Sequence, residues 1–244
     1  MPKKVAVVIP CLNEARSIVA VLEKMPVKEL AHDELELEVL VIDNGSTDDT
    51  AELARRAGAQ VVHEAAPGKG NALRTGFRNL PDDADYVVML DGDDTYDPRE
   101  MPRLLEPLTS GFCSVVIGSR LQGKIIDDSM HQFHRLGNWV YTHLVRLSYR
   151  VNVTDVLTGY FAWTRPALDD LAPELRSSGF AIEMEAITKL ARLGYDIYSV
   201  PISYHPRRGE SSLRPLLDGF RILRMYLRNL RWRPSRSRAP ASPR

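Results

Sequence analysis

The chain has 244 residues, of which 44% are hydrophobic, and this length and composition predict one sizeable α/β core. Its 32 basic and 32 acidic residues cancel, which argues against a protein that binds nucleic acid. No apolar run approaches the ~20 residues that a membrane span needs, and the N-terminus lacks a signal-peptide pattern, so we expect a cytoplasmic protein.

Strands and helices alternate through the first half of the chain. Short β-rich apolar runs are predicted as strands at residues 5–9, 39–42, 60–62, 86–90 and 115–117. Helical apolar patterns follow the first four of them, at residues 18–25, 50–57, 72–80 and 98–108. This alternation implies right-handed crossovers and a mainly parallel sheet.

A polar turn follows each of these five strands. In parallel sheets, ligands bind beyond the carboxyl ends of the strands, where helix N-termini also favour anions. The common location of the turns therefore predicts a nucleotide site more strongly than any single turn does. The turns occupy residues 10–14, 43–46, 68–70, 91–93 and 118–120.

The strand at residues 86–90 ends in an acidic cluster that contains Asp91, Asp93 and Asp94. Carboxylates crowded at one strand end repel each other unless a cation neutralises them, and hard oxygen ligands suit Mg²⁺ or Mn²⁺ holding a diphosphate. Gly92 lets the backbone approach such a ligand closely. The alternative is an acidic turn that caps a helix starting at Pro98.

The pattern changes in the second half of the chain. A polar loop at residues 125–135 precedes a predicted helix at 136–149, a strand at 158–163, a helix at 182–193 and a strand at 197–202. Glu183 and Glu185 lie on the second of these helices. Residues two apart do not share a helix face, so we expect at most one of them to point into a cleft.

The C-terminal segment carries an amphipathic helical pattern rich in arginine, for which we predict a helix over residues 213–233 and a disordered tail over 234–244. Such a helix can lie in an anionic membrane interface. The alternative is that its apolar stripe packs on the preceding domain, over residues 1–212, while its arginines are solvated. The apolar positions are Leu216, Leu217, Phe220, Leu223, Met225, Leu227 and Leu230.

Seven motifs occur in order, at residues 10–14, 41–48, 68–73, 90–93, 117–120, 155–159 and 207–213. The set resembles family 2 glycosyltransferases, and most closely the polyprenyl-phosphate (dolichyl-phosphate) mannose and glucose synthases. The resemblance implies an α/β GT-A fold and an inverting, Mg²⁺- or Mn²⁺-dependent transfer of a hexose. The implied donor is a nucleotide-diphosphate sugar, UDP-glucose or GDP-mannose. The implied acceptor is polyprenyl phosphate, with the protein peripheral on the inner membrane face.

The resemblance also implies roles for individual residues. The nucleotide sugar would be held by Pro10, Leu12, Glu14, Val41, Asp43, Lys69, Asp91, Gly92 and Asp93. The metal ion would be held by Asp91 and Asp93. Catalysis would involve Asp93, Arg120 and Arg207. The acceptor would contact Arg120, Arg135, Arg207 and Ser212.

Several positions depart from the family pattern. Leu12 stands where a Tyr is frequent, Thr95 where a Gln often completes the metal shell, Ser212 in place of a Lys and Phe161 in place of an Arg. The last two departures thin the positive charge expected around an acceptor phosphate. They keep open a transfer to a soluble hydroxyl acceptor, for which the candidate general bases are Glu183, Glu185 and Asp155. A non-catalytic nucleotide-binding protein is the third hypothesis, and the sequence leaves the oligomeric state open.

Overall fold

The computed structural model describes residues 2–127, 129–209 and 214–234. Within these ranges the chain builds a seven-stranded sheet with helices on both faces. The strands are β1 (Lys3–Cys11), β2 (Leu35–Asp43), β3 (Gln60–His63), β4 (Tyr86–Met89), β5 (Val115–Ile125), β6 (Phe161–Thr164) and β7 (Ile197–Tyr204).

The helices follow the strands in the predicted alternation. They are α1 (Ile18–Glu23), α2 (Val27–His32), α3 (Thr50–Arg56), α4 (Lys69–Arg78), α5 (Met101–Thr109), α6 (Gln132–Tyr149), α7 (Arg165–Leu171), α8 (Ile182–Arg192) and α9 (Pro215–Asn229). Short 3₁₀ turns at Pro98–Glu100 and Ala172–Glu174 adjoin α5 and α7.

The sheet is mainly parallel, as predicted. Its strand order is β3-β2-β1-β4-β6-β5-β7, and β6 runs antiparallel to both of its neighbours. The other paired strands are parallel, so the carboxyl ends of β1, β2, β4, β5 and β7 lie at one edge of the sheet. Ligand-binding loops are expected at that edge.

Two apolar cores cover the two faces of the sheet. Successive residues of a strand point to opposite faces, so Val8 joins one core while Val7 and Ile9 join the other. The central strand β4 is buried over its whole length, which explains its uninterrupted apolar run. The rigid sheet fixes the positions of the loops that leave its edge.

Some element boundaries differ from the sequence predictions. β2 begins at Leu35, four residues earlier than predicted, because its exposed glutamates alternate with half-buried and buried apolar residues along the paired strand. The short helix α2 was not predicted. α6 begins at Gln132, where the side chain of His131 accepts a hydrogen bond from the N–H of Phe133 and caps the helix.

The C-terminal helix α9 packs on α6 and α8. Ile222 and Tyr226 are buried in the same core as the sheet, and Asn229 donates a 2.8 Å hydrogen bond to Thr188 Oγ1. A second apolar stripe faces outward and consists of Leu216, Leu217, Phe220 and Leu227. The helix therefore has a packed and an exposed apolar stripe. Residue 213 and most of the predicted tail, 235–244, lie outside the described residues.

Candidate active site

A cavity of about 900 Å³ opens at the carboxyl edge of the sheet. Most of the residues that the sequence assigned to the site line it. They are Pro10, Leu12, Glu14, Lys69, Asp91, Gly92 and Asp93 of the nucleotide-sugar set, and Arg120 and Arg207 of the catalytic and acceptor sets. The structure thus brings together side chains that are up to 197 positions apart in the chain. Helices α6 and α9 form the opposite wall.

Three of the assigned residues lie outside the cavity lining. Val41 is fully buried in β2, and Asp43 accepts hydrogen bonds from the N–H of Ser46 and, on its second oxygen, lies 3.2 Å from His63 Nδ1. Arg135 is exposed on α6, outside the cavity lining. Ser212 lies outside the described residues. Their roles remain predictions.

Asp91 and Asp93 stand just beyond β4 and are partnered by cations from distant loops. Asp93 is buried and accepts hydrogen bonds from the N–H and hydroxyl of Thr95. Its other oxygen lies 2.5 Å from Arg207 Nη2. Burial, and then the Asp91 carboxylate, raise the pKa of Asp93, although Arg207 opposes the shift. Thr95 thus orients the Asp93 carboxylate. Because the Thr95 hydroxyl donates to Asp93, it is less available as a metal ligand.

Glycines let the acidic cluster sit close to the neighbouring backbone. A side chain on Gly92 would collide with Cys11 of β1, and one on Gly159 would collide with the carboxylate of Asp91. The N–H of Gly159 donates a 2.7 Å hydrogen bond to the hydroxyl of Tyr96. The loop before β6 is therefore held directly against Asp91.

Lys69 joins Asp91 to Glu183. Its Nζ lies 2.6 Å from Asp91 Oδ1 and 2.7 Å from Glu183 Oε1, and the side chain is nearly buried. Burial alone would lower the pKa of Lys69, but the two carboxylates outweigh it and raise the pKa, so the ammonium stays charged. Burial raises the pKa of Glu183, with Lys69 opposing. Of the two glutamates that the sequence offered as candidates, Glu183 is the one that lines the cavity.

Glu185 points away from the cavity, as the two-residue spacing requires. Its carboxylate accepts hydrogen bonds from the N–H groups of Arg176 and Ser177 and pairs with Lys189 at 2.5 Å. These partners lie at the base of α8, which makes Glu185 a brace for the loop before that helix. It is therefore a poor candidate for a general base.

Glu14 completes the acidic wall opposite Lys69. It lies 3.7 Å from Arg207 Nη1 and accepts a 3.0 Å hydrogen bond from the hydroxyl of Ser17. Burial and the nearby Asp93 carboxylate raise the pKa of Glu14 to about 7. Arg207 thus touches two carboxylates that repel one another.

Arg120 is bound inside the protein. Its Nε and Nη2 each lie 2.8 Å from the fully buried Asp155 carboxylate, and Nη2 also donates to the carbonyl of Leu157. Asn138 of α6 adds a 2.6 Å hydrogen bond to the same carboxylate. This network fixes the loop that carries Gly159. Asp155 is occupied by it, so the structure does not favour Asp155 as a general base.

The sequence missed several residues that shape the cavity. Asn44 accepts a 2.7 Å hydrogen bond from the N–H of Gly68 and so sets the start of α4. Phe180 and Tyr204 line the cavity, and the ring of Tyr204 lies 5.3 Å from the Arg120 guanidinium carbon. Asn44 stands in a motif that the sequence did show, whereas the two aromatic positions carried no signal of their own.

The residues present fit a Mg²⁺ or Mn²⁺ site of the kind completed by a substrate. In the described part of the chain, no group of three or more His, Cys, Asp or Glu side chains could hold a metal ion. Asp91 and Asp93 supply hard carboxylate oxygens at the open edge, and Mg²⁺ is commonly bound by one or two carboxylates together with phosphates and water. The diphosphate of a donor would have to provide the remaining ligands.

The wall formed by α6 and α9 is apolar and exposed at the mouth of the cavity. Phe133 is 57% exposed, Phe220 66% and Leu216 82%, and all three line the cavity. Leu136 and Trp139 are also exposed on α6 but lie outside the cavity lining. Among the described helices, none combines the length and apolar character needed to cross a bilayer.

Comparisons with known proteins identify the family of the chain. Residues 6–171 match the family model for glycosyl transferase family 2. The chain is 37% identical over 230 residues to glycosyltransferase AglJ of Haloferax volcanii, covering 93% of this chain and 72% of that protein. It is 32% identical to the undecaprenyl-phosphate mannosyltransferase of Micrococcus luteus, covering 96% and 98% of the two chains.

A solved structure shares the fold. Glucosyl-3-phosphoglycerate synthase from Mycobacterium tuberculosis, in complex with Mn²⁺, UDP-glucose and phosphoglyceric acid, superposes with a TM-score of 0.72 at 25% identity. The match covers 93% of this chain and 80% of that one. With the family model spanning most of the chain and the sheet edge carrying its acidic motif, this protein belongs to glycosyl transferase family 2 and is a glycosyltransferase of the GT-A fold.

Proposed function

We propose that this chain is an inverting, metal-dependent glycosyltransferase that moves a hexose from a nucleotide-diphosphate sugar to polyprenyl phosphate at the cytoplasmic membrane face. Residues 1–212 form its catalytic domain in this proposal, and α9 serves as the part that faces the membrane. The observation that carries the acceptor assignment is the exposed apolar wall of α6 and α9 at the cavity mouth.

Donor binding is assigned to the acidic edge. Asp91 and Asp93 would hold Mg²⁺ or Mn²⁺, which when bound neutralises the charge that develops on a leaving diphosphate. Lys69 and Arg207 already hold these two carboxylates in place, at 2.6 and 2.5 Å. Leu12, 42% exposed in the cavity, offers an apolar contact to a base where an aromatic ring is common in the family.

A phosphate acceptor fits the way the charged groups are used. Such an acceptor is already an anion at neutral pH, so attack on the anomeric carbon needs positioning and cations but no proton removal. Glu183, the carboxylate best placed to act as a base, is bound to Lys69 at 2.7 Å. Arg207 is half-buried in the cavity lining and is the cation that we assign to the acceptor phosphate.

The lipid part of the acceptor explains the apolar wall. A soluble protein rarely exposes several large apolar side chains together unless the patch binds something apolar. Phe133 and Phe220 line the cavity from different helices, so a prenyl chain could lie between them while its phosphate reaches the site. The name of the Micrococcus relative, an undecaprenyl-phosphate mannosyltransferase, supports the same acceptor class.

A soluble hydroxyl acceptor is the second candidate. It is favoured by the likeness to glucosyl-3-phosphoglycerate synthase, whose complex contains phosphoglyceric acid. That reaction class requires a base, and Glu183 would have to leave Lys69 to serve as one. The exposed apolar wall would then have no use in catalysis.

The test offers labelled UDP-glucose and GDP-mannose to the protein with Mn²⁺, together with either undecaprenyl phosphate or 3-phosphoglycerate. We expect label to enter the organic phase with the lipid phosphate and require Mn²⁺ or Mg²⁺. Transfer to 3-phosphoglycerate alone would overturn the lipid assignment. Release of free sugar at the same rate with and without either acceptor would overturn both.

A further inference from the structure

A second groove, of about 530 Å³, lies on the far side of the Lys69 loop. It runs between the segment at residues 176–181 and the outer edge of α9. Gly68, Lys69, Phe180 and Asp218 line both this groove and the active-site cavity, so the two share a wall. Of the residues assigned to the donor, Lys69 borders this groove, whereas Asp91 and Asp93 do not.

Five arginines line the groove and give it a strong positive charge. Arg221, Arg224 and Arg228 recur at spacings of three and four on α9, which places them on one side of the helix. The others are Arg176 and Arg214. We refer to these five residues as the arginine groove.

Acidic side chains do little to neutralise the arginine groove. Asp218 is its lining carboxylate and is shared between a 3.0 Å ion pair with Arg221 and the N–H of Arg214. The side chains of Arg224 and Arg228 form no ion pair or hydrogen bond with the residues that the structure describes. Lys69 also borders the groove, but its charge is committed to Asp91 and Glu183.

Residues with unpaired backbone N–H groups line the same groove. Within the described chain, the N–H groups of Ser178, Gly179 and Phe180 donate no hydrogen bond, whereas those of Arg176 and Ser177 are taken by Glu185. These free groups precede α8, an 11-residue helix whose positive dipole end points toward them. Arginine forks and unpaired N–H groups together are the donors that phosphate oxygens prefer.

We propose that the arginine groove is a second oxyanion site, which binds a phosphate group separate from the donor diphosphate. Arg224 and Arg228 supply the uncompensated charge, and the N–H groups before α8 supply directed hydrogen bonds. The phosphate comes either from the headgroup of an anionic membrane lipid or from a free phosphorylated molecule. Exposed arginines that only face solvent would need neither the groove nor the free N–H groups.

The test compares two charge-matched double variants of the full chain. R224Q/R228Q removes the unpaired charges of the groove, and R55Q/R56Q removes two exposed arginines from α3 as the control. Mutating Arg56 breaks only an exposed pair with Glu52, whose contribution to stability is small. UDP binding with Mn²⁺ should be unchanged in both variants, which separates this test from a failure of the donor site.

Two measurements distinguish the sources of the phosphate. In the first, binding to vesicles of phosphatidylglycerol is compared with binding to phosphatidylcholine at low salt. We expect R224Q/R228Q to bind about thirtyfold more weakly to the anionic vesicles, since each basic residue near anionic lipid contributes about fivefold. We expect R55Q/R56Q to lose less than about threefold, because α3 lies away from the groove.

In the second measurement, inorganic phosphate is titrated in EDTA while the ¹⁵N-labelled amides of Ser178, Gly179 and Phe180 are followed by NMR. A phosphate-dependent shift that disappears in R224Q/R228Q assigns the groove to free phosphorylated molecules. A loss of vesicle binding without such a shift assigns it to lipid headgroups. If R224Q/R228Q matches R55Q/R56Q in both measurements, the groove is a solvated surface and the proposal is overturned.

Discussion

Arg207 Nη2 lies 2.5 Å from Asp93 Oδ2, so a cation from the loop after β7 occupies one oxygen of the carboxylate that the acidic motif offers to a metal ion. Lys69 does the same for Asp91. Without these cations, the buried Asp93 carboxylate and the partly exposed Asp91 carboxylate would repel each other at one strand end. The protein thus neutralises its acidic edge with its own side chains, and a metal ion must compete with them.

The first prediction concerns Asp93. Asp93→Asn keeps the hydrogen bond from Thr95 but removes a charge from the proposed metal site, so we expect activity to fall by at least about a hundredfold while the fold survives. Asp97→Asn is the control, because Asp97 caps the turn before α5 and an Asn retains that cap. Activity with Mn²⁺ and the unfolding midpoint are measured for both. Full turnover of D93N in EDTA would exclude a metal held by Asp93.

The second prediction follows from the competition at Asp93. Arg207→Ala frees one oxygen of Asp93, so Mn²⁺ should bind more tightly in the absence of nucleotide, while kcat falls because a cation beside the reacting phosphates is lost. Titration of Mn²⁺ followed by electron paramagnetic resonance reports the first effect independently of turnover. An unchanged Mn²⁺ affinity would contradict this prediction, because it would mean that the ion pair between Arg207 and Asp93 does not compete with Mn²⁺ binding.

The sequence predicted the residues of the acidic edge but not the ion pairs that they form. The alternation of strands and helices, and the polar turn after each strand, follow from local periodicity and turn chemistry, and they placed Asp91, Asp93 and Glu14 at one edge correctly. Periodicity carries no information about partners far apart in the chain. The pairs Lys69 with Glu183 and Arg207 with Asp93 depend on tertiary packing.

The division of the apolar residues of α9 into a packed and an exposed stripe could not be predicted from the sequence, for a related reason. A helical pattern shows which residues share a side, but it does not show how much of that side a neighbour covers. The α6 and α8 contacts cover Ile222 and Tyr226 and leave Leu216 and Phe220 exposed. The antiparallel direction of β6 was likewise absent from the local pattern, since its apolar run suits either orientation.

The third prediction separates the acceptor classes through Glu183. In Glu183→Gln the amide oxygen can still accept from Lys69, and Asp91 keeps the ammonium charged. With a phosphate acceptor we expect kcat to stay within about threefold of the wild type, because no proton is removed. A hydroxyl acceptor would instead lose about 10²- to 10⁴-fold. The acceptor KM is measured alongside, so that a binding defect is not mistaken for lost base catalysis.

The fourth prediction assigns Arg120 a structural contribution. Arg120→Ala leaves the fully buried Asp155 with Asn138 as its side-chain partner, and losing one member of a buried pair costs about 3–5 kcal/mol. The double variant Arg120→Ala/Asp155→Ala should recover part of that loss. Urea unfolding of Arg120→Ala, Asp155→Ala and the double variant, each compared with the wild type, measures the coupling. If the losses in unfolding free energy of the two single variants add up in the double variant, the pair contributes little to stability. A loss of activity in R120A would then reflect a direct role of Arg120 in the reaction.

The fifth prediction uses the pH dependence of stability. The pKa of Glu14 is about 7 in the folded protein and ordinarily 4.5, so between these values the folded state binds the extra proton. The stability of the wild type should therefore fall relative to Glu14→Gln as pH rises from 4.5 to 7, and the difference should stay constant above 7. The full change is about 3 kcal/mol at most. Urea unfolding in EDTA at pH 5, 6, 7 and 8 tests it, and parallel curves would contradict the raised pKa.

The last prediction concerns the exposed apolar wall at the cavity mouth. Deleting α9 is a poor test of membrane binding, because Ile222 and Tyr226 belong to the main core and their loss would destabilise the whole protein. Leu216→Gln/Phe220→Gln instead changes side chains that are already exposed. We expect this variant to keep its stability and to bind anionic vesicles at least about tenfold more weakly, since the apolar face of an interfacial helix contributes by burial in the lipid.

Val27→Gln/Phe112→Gln is the matched control, because both side chains are exposed and neither borders the cavity. Salt separates the two surfaces of α9, since screening weakens the contribution of the arginines and leaves apolar burial almost unchanged. If L216Q/F220Q binds vesicles as well as the control at both low and moderate salt, the wall does not enter the membrane, and the lipid-phosphate acceptor loses its main structural support.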